Sequence, residues 1–517
     1  MYYFSAVANY LSKNQRNFFI FLLLFHALLS ILLFTIANST FLLEFHTGNG
    51  FWNFARDVET YHNEANFSQL PLQNSHWSFW WNFYPDHKNV RIAALLYWIT
   101  GYPQPIVYEI INGFTWATSV ILIYKTSQLL FPNNNNVSLA SISFFFFPTF
   151  LLASTQMLRD PIFTLGFCML CYGFVNLSTE KSKSKFKFII IALIGVFLAI
   201  AIRDYLSSIF LVGLFLMAVI ALLQKKMSIA QVLLLVLPLI IFENFSPNKY
   251  SSGPSEDSLA KHAQIIESSQ SILKDQISSS DKVKSKAPSQ AQVQEQADIQ
   301  ADIQTLVDLK EKVKSKASSQ AQVQETTDSD TTYSLLKETA RLQQVQRELI
   351  PGQRNSLFQS NFNKISQILS QMRFGFYNTN FNAGSKIDSQ KLYSNITEVL
   401  MYLPRATQIG FLAPFPSAWT SDGFTVGKAG RILSGFEMII WYSLLLSFIW
   451  AIYKKPITFI PMFPIFMISI MVILLLAYVI PNIGSIYRMR QTYMIPFYIY
   501  GVYGLNLIIT SFNKKFK

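Results

Sequence analysis

The chain has 517 residues and a formal net charge of +13, yet only 14% are charged while 51% are hydrophobic and Phe alone counts 46. Mean hydropathy is +0.28. Apolar runs of spanning length recur along the whole chain, which excludes a soluble globular domain and predicts an all-α polytopic membrane protein. The basic excess falls as Lys clusters in short loops between those runs, the distribution of cytoplasmic loops, so it implies no nucleic-acid partner.

About ten spans are expected, near 18–38, 106–126, 137–156, 160–177, 187–203, 205–223, 228–243, 433–453, 456–479 and 492–512. The first is too long for a signal-peptide core and lacks an Ala-x-Ala site, so it reads as an uncleaved anchor. Cys168 and Cys171 lie inside an apolar run without a second Cys/His pair, which reads as packing, with no disulfide framework.

Lys13/Arg16, Lys125, Lys181/Lys183/Lys185/Lys187, Lys225/Lys226, Lys454/Lys455 and Lys514/Lys515/Lys517 fall on one side if the spans alternate. That side is then cytoplasmic and holds both termini, in a plasma (inner) membrane. The outer side receives two large segments, 39–105 and 244–432, and short turns at 156–161, 202–205 and 482–492.

Four regions follow. Residues 1–250 form an N-terminal transmembrane core that includes the first outer loop, 39–105. Residues 251–332 are rich in Ser, Gln, Lys, Asp and Ala, and KVKSKAPSQAQVQE at 282–295 returns at 312–325 with Ser318 in place of Pro288. Such an insertion is expected to stay disordered or loosely helical, because it buries too little to offset its ordering entropy. Residues 333–432 regain apolar spacing compatible with surface helices, then reach a stretch at 402–416 broken by three prolines, read as interfacial or re-entrant. Residues 433–517 carry the C-terminal spans.

Charged and hydrogen-bonding residues gather at the outer ends of these spans, with the midspan stretches almost free of charge. They are Arg56, Asp57, Glu59, Tyr61, His62 and Glu64 after the first span; Arg159 and Asp160; Arg203 and Asp204; Glu243; Arg405; and Arg488 and Arg490. A transporter would place ionisable groups near the bilayer midplane. An enzyme acting on a lipid headgroup needs them at headgroup depth on one side.

Arginine binds phosphate bidentately and stays charged, so Arg203, Arg488, Arg490 and Arg405 are candidate donor-phosphate ligands. Sugar transfer to a hydroxyl passes through an oxocarbenium-like state and needs a base on the acceptor; Asp57 leads and Asp160 is second. Arg56, Glu59, Tyr61, His62 and Arg159 are placed as supports. A divalent metal on Asp57, Glu59 and His62 stays open, with no cofactor otherwise required. Arg159/Asp160 and Arg203/Asp204 read equally well as ion pairs that fix helix ends, and the tryptophans Trp52, Trp77, Trp80 and Trp81 as an interfacial belt.

Four segments in order carry a resemblance: Asp57-Val-Glu-Thr-Tyr61-His62-Asn-Glu-Ala65, Ala94-Leu-Leu-Tyr97 through Gly101-Tyr-Pro103, Phe147-Pro148 followed by Leu158-Arg-Asp160-Pro161, and Tyr487-Arg-Met-Arg490. With these the chain resembles the GT-C class of integral-membrane glycosyltransferases, in particular relatives of the protein mannosyltransferases and the lipid A aminoarabinose transferases. The resemblance implies a catalytic acid in the first outer loop, at Asp57, and a polyprenyl-phosphate-linked sugar donor; the acceptor is expected to be a glycan, lipid or protein on the outer face, independently of the resemblance. The acidic pair is spaced here as Asp57-x-Glu59 instead of being adjacent, and the acceptor is not carried over. The competing readings are a polysaccharide polymerase or O-antigen-ligase-like enzyme using outer-loop arginines, and a non-enzymatic lipid-glycan flippase or surface-assembly scaffold.

Overall fold

The computed structural model describes residues 14–73, 75, 77–82, 87–179, 185–223, 357–379, 384–421, 423 and 426–515. The chain divides into two units, Met1–Phe245 with Asn355–Lys517, and Ser246–Arg354. The second unit lies outside the described residues, as do the expected span at 228–243 and the repeat-bearing insertion at 251–332.

Among the described residues the regular structure is helical. Seven helices among the described residues are long and apolar enough to cross a membrane: Gln15–Ala37, Pro105–Leu130, Asp160–Ser178, Lys185–Ile202, Gly427–Lys454, Pro456–Val479 and Ile483–Asn513. The protein is an all-α, multi-pass membrane protein. In the chain order used below, α1 is Gln15–Ala37, α2 is Asp57–Gln73, α3 is Trp77–Asn82, α4 is Lys88–Thr100 and α5 is Glu109–Leu130. Next come α6 (Asn135–Ser141), α7 (Pro148–Ser154), α8 (Asp160–Ser178), α9 (Lys185–Ile202) and α10 (Ser207–Leu223). The C-terminal set is α11 (Leu357–Thr379), α12 (Ile396–Leu412), α13 (Gly427–Lys454), α14 (Phe463–Val479) and α15 (Ile483–Lys515).

Three expected spans differ from what folds. The run at 137–156 is not one helix: α6 and the tight turn Ile142–Phe146 meet α7 at a bend of 64°. Pro148 has no N–H to continue a helix and holds Phe147 extended, at φ −59° and ψ 127°. The run at 205–223 folds as α10, a 17-residue apolar helix shorter than the other spans. The last helix starts at Ile483 instead of near 492, so the expected turn at 482–492 is its first turns, and Arg488 and Arg490 are helical residues.

The proline-broken stretch is also more regular than expected. α12 runs through Pro404, and Asn395 caps it by accepting from the Glu398 N–H. Leu400, Met401 and Leu403 are exposed while Tyr402, Ala406 and Ile409 are buried. Pro414 and Pro416 fall beyond its end.

Two packing arrangements position the site. α8 and α9 form an antiparallel hairpin in which a Cβ added to Gly166 would meet the Gly195 carbonyl at 2.5 Å, and one on Gly195 would meet the Gly166 carbonyl at 2.5 Å. Without these glycines the backbones could not approach so closely. Their closeness brings the first residue of α8, Asp160, beside Arg203 just past the end of α9. α15 is the central helix: Tyr493, Met494, Ile495, Phe497, Tyr498, Ile499 and Tyr500 are all buried, so its apolar surface is covered on every side.

Outside the spans, α2 buries Val58, Tyr61, Ala65, Ser68 and Leu72, a three-and-four spacing that makes one stripe. α4 answers with Val90, Ala93, Ala94 and Tyr97. The alanines let the two helices lie close, and this pair carries Asp57 to the end of the bundle where Asp160, Arg203 and Arg488 lie.

Candidate functional site

Asp57 is the first residue of α2 and Asp160 the first of α8, so both carboxylates sit at helix N-termini, where the backbone dipole favours negative charge. Arg488, in the second turn of α15, lies between them. Its Nη2 donates to Asp57 Oδ2 at 2.6 Å, and its Nε stands 3.9 Å from Asp160 Oδ2. Arg203 Nη2 donates to Asp160 Oδ1. Four residues distant in sequence thus form one chain of charge: Asp57, Arg488, Asp160, Arg203.

The two ion pairs differ in character. The Arg203 side chain is 3% exposed and its guanidinium carbon lies 4.6 Å from the Phe163 ring centre, so its pair with Asp160 is built in. Arg488 and Asp57 are 32% and 45% exposed, so that pair faces water and exchanges partners at small cost. Among the described residues, Arg203 Nε and Nη1 and Arg488 Nε are buried without a hydrogen-bond partner. Buried donors of this kind normally find an acceptor, and an anionic oxygen, of a carboxylate or a phosphate, suits their geometry and charge.

A small open cleft, with enclosed space of only about 20 Å³, includes Asp160 and Arg488 in its lining with Thr164, Gln491 and Thr492. Apolar walls come from Trp116, Phe145, Phe150 and Met489. Tyr61 is buried beneath the charged cluster, and burial pushes its phenol up to about 12, with Arg159 opposing and Asp57 and Asp160 reinforcing the shift. Arg159 precedes α8 and is half-buried; Arg56 is exposed ahead of α2.

The other expected site residues are committed elsewhere. Arg490 is 2% exposed and donates to the carbonyls of Ile409 at 3.4 Å, Gly410 at 2.5 Å and Ala413, closing the C-terminal end of α12. Arg488 and Arg490 share a helix two positions apart, so they point about 200° from each other. Arg405 holds Asp388 through Nε at 2.9 Å and Nη2 at 3.3 Å, and Gln408 at 2.7 Å. Neither arginine joins the charged cluster.

His62 likewise turns away from Asp57. Its Nδ1 meets the Tyr97 hydroxyl at 2.9 Å and its Nε2 the Asn66 amide at 3.0 Å, and burial pulls its pKa down to about 4. Glu59 is exposed. Residues two and five positions along a helix from Asp57 are rotated by about 200° and 140°, so Asp57, Glu59 and His62 cannot converge on one ion. Among the described residues no group of three His, Cys, Asp or Glu side chains is placed to hold a metal.

Sequence reading missed three buried polar clusters. Arg373 of α11 is 0% exposed and donates to the carbonyls of Ala477, Tyr478, Ile387 and Asp388 at 2.8–3.2 Å, tying the end of α14 to the loop before α12. Glu437 of α13 accepts from Thr149 N–H at 2.8 Å, from Thr149 Oγ1 at 2.5 Å and from the Tyr487 hydroxyl. His26, at the midpoint of α1, lies between Glu109 and Ser154. A lone charged or histidine residue in an apolar run was the available signal for Glu437 and His26; Glu437 lies toward the same end of the bundle as Tyr487, and His26 qualifies the expectation that midspan stretches carry almost no such groups.

Comparison of the chain with protein-family models, with curated proteins and with solved structures finds no match.

Proposed function

We propose that this chain is a membrane glycosyltransferase that moves a sugar from a polyprenyl-phosphate donor to an acceptor on the outer face, in the synthesis of a cell-surface glycan or polysaccharide. The observation that carries the reading is the convergence of Asp57, Asp160, Arg203 and Arg488, with unpartnered guanidinium N–H groups, at one end of a bundle of apolar helices. A polyprenyl phosphate has the same division, a charged head at headgroup depth and an apolar tail. The distribution of loop lysines supports an outer side for this end.

In the proposed cycle the donor phosphate takes the free N–H groups of Arg203 and Arg488. Recruiting Arg488 loosens its exposed pair with Asp57, whose carboxylate then accepts the acceptor hydroxyl proton as the new C1–O bond forms. The bond from C1 to the phosphate oxygen breaks, the phosphate keeps the electron pair, and the arginines stabilise its charge. Asp160 stays ionised between the two arginines and fixes their spacing.

The test is sugar transfer by the full chain in proteoliposomes supplied with a panel of polyprenyl-phosphate sugars. Asp57→Asn and Arg488→Ala are each expected to lower transfer by about 10²–10⁴-fold, the range for a positioned base or charge stabiliser. Glu59→Gln is expected to stay within about twofold, since exposed side chains away from the chemistry contribute little. Full activity of Asp57→Asn would refute the mechanism.

A further inference from the structure

The same pocket that is lined by Asp160 and Arg488 is also lined by Ser154, and behind that serine lies an arrangement the glycosyl-transfer reading does not use. Ser154 Oγ is 2.9 Å from His26 Nε2, and His26 Nδ1 is 2.5 Å from Glu109 Oε1. Glu109 Oε2 in turn accepts from Ser30 Oγ at 2.6 Å. His26 is fully buried and its ring packs 5.0 Å from that of Trp116. The Ser154 hydroxyl donates to the Leu151 carbonyl at 2.7 Å; with the imidazole proton held on Nδ1 toward the carboxylate, Nε2 is placed to accept from that hydroxyl once it rotates away from the carbonyl.

Three separate elements bring these residues together: α1 supplies His26, α5 supplies Glu109, and Ser154 ends the short helix α7 at the broken span. The break gives Ser154 its place, because α7 turns by 64° from the preceding segment. Gly113 leaves the room: a Cβ there would stand 2.8 Å from Glu109 Oε1 and 3.7 Å from His26 Nδ1.

We infer that Ser154, His26 and Glu109 form a nucleophile, base and orienting carboxylate, giving this pocket an acyl-transfer activity toward lipid-type acyl esters. Ser154 Oγ attacks the ester carbonyl carbon while its proton passes to His26 Nε2. The tetrahedral adduct collapses, the alcohol leaves with the proton from His26, and the acyl group remains on Ser154. A second alcohol, or water, then attacks the acyl-serine carbonyl and gives its proton to His26 Nε2; the bond from the acyl carbon to Ser154 Oγ breaks, His26 returns the proton to Ser154 Oγ, and the new ester or acid is released. Throughout, Glu109 holds the Nδ1–H and stabilises the transient imidazolium. Trp116, Phe145, Phe150 and Met489 give the cleft an apolar wall, against which the first carbons of an acyl chain would lie.

The experiment treats the full chain, in lipid nanodiscs, with an alkyl fluorophosphonate, which reacts with activated serines, and locates the adduct by peptide mass spectrometry. The expected result is a single adduct on Ser154, with the labelling rate lowered by about 10²–10⁴-fold in His26→Gln and less severely in Glu109→Gln. No adduct on Ser154 in the wild-type protein, or an unchanged rate in His26→Gln, would overturn the inference. Either failure leaves the sugar-transfer reading standing, because that reading is measured on a different substrate and through different residues.

Discussion

Removing Arg203 alone should destabilise the protein far more than removing it together with its partner. In Arg203→Met the Asp160 carboxylate, 23% exposed, loses its hydrogen-bonded cation and keeps only Arg488 Nε at 3.9 Å. Breaking a buried pair by deleting one member costs about 3–5 kcal/mol, because the remaining charge is left desolvated. The double variant Asp160→Asn/Arg203→Met removes both charges and keeps similar volumes, so its cost should fall to about 0–2 kcal/mol. The interaction energy is then about 2–3 kcal/mol or more, well above the scatter of independent sites. The assay is urea unfolding in detergent micelles followed by tryptophan fluorescence, run on the wild type, both single variants and the double variant. Additive losses, or a cost below about 1 kcal/mol for Arg203→Met, would refute the claim that this pair is buried and mutually dependent.

Packing and site chemistry set three further outcomes. Gly166→Leu drives side-chain atoms into the Gly195 carbonyl, so it should destabilise the hairpin by at least about 1–3 kcal/mol and lower sugar transfer without touching a charged residue; thermal unfolding and the transfer assay read both. Arg373→Ala strands four carbonyls and should cost about 3–5 kcal/mol, and Arg373→Lys should not restore the loss, because an ammonium cannot span the fork-shaped set of acceptors. His62 is neutral in the folded protein, its pKa held near 4 by burial against about 6.5 in an unfolded chain. Its contribution to stability is therefore complete above about pH 6.5 and is lost as pH falls toward 4, and stability measured across that window should fall less steeply in His62→Gln.

Much of the site was legible in sequence because charge is rare in this chain and its positions recur at one end of the spans. Asp57, Asp160, Arg203 and Arg488 stand out on those grounds, and alternation of the spans puts them together. Arg490 was grouped with Arg488 because an apolar window starts a span after the last charged residue. The helix in fact begins at Ile483, and a buried arginine is tolerated there because three carbonyls receive it. His62 looked like a neighbour of Asp57 along the chain, but α2 turns it toward Tyr97. The break at Phe147–Pro148 was hidden by an unbroken apolar run, since hydropathy registers composition and not the missing N–H of a proline. Arg373 and the His26–Glu109–Ser154 set depend on partners 83 or more residues apart or on backbone carbonyls, for which a single sequence carries no local pattern.

If one end of the bundle is a receptor for a lipid-linked phosphate, as proposed, binding measures it most directly. Undecaprenyl phosphate and undecaprenol should be titrated into the nanodisc-reconstituted protein and into Arg488→Ala, with occupancy read by native mass spectrometry. The wild type should prefer the phosphate form by at least about tenfold, equivalent to about 1.4 kcal/mol, and Arg488→Ala should lose most of that preference. Equal binding of the two lipids by the wild type, or an unchanged preference in the variant, would contradict the proposed receptor.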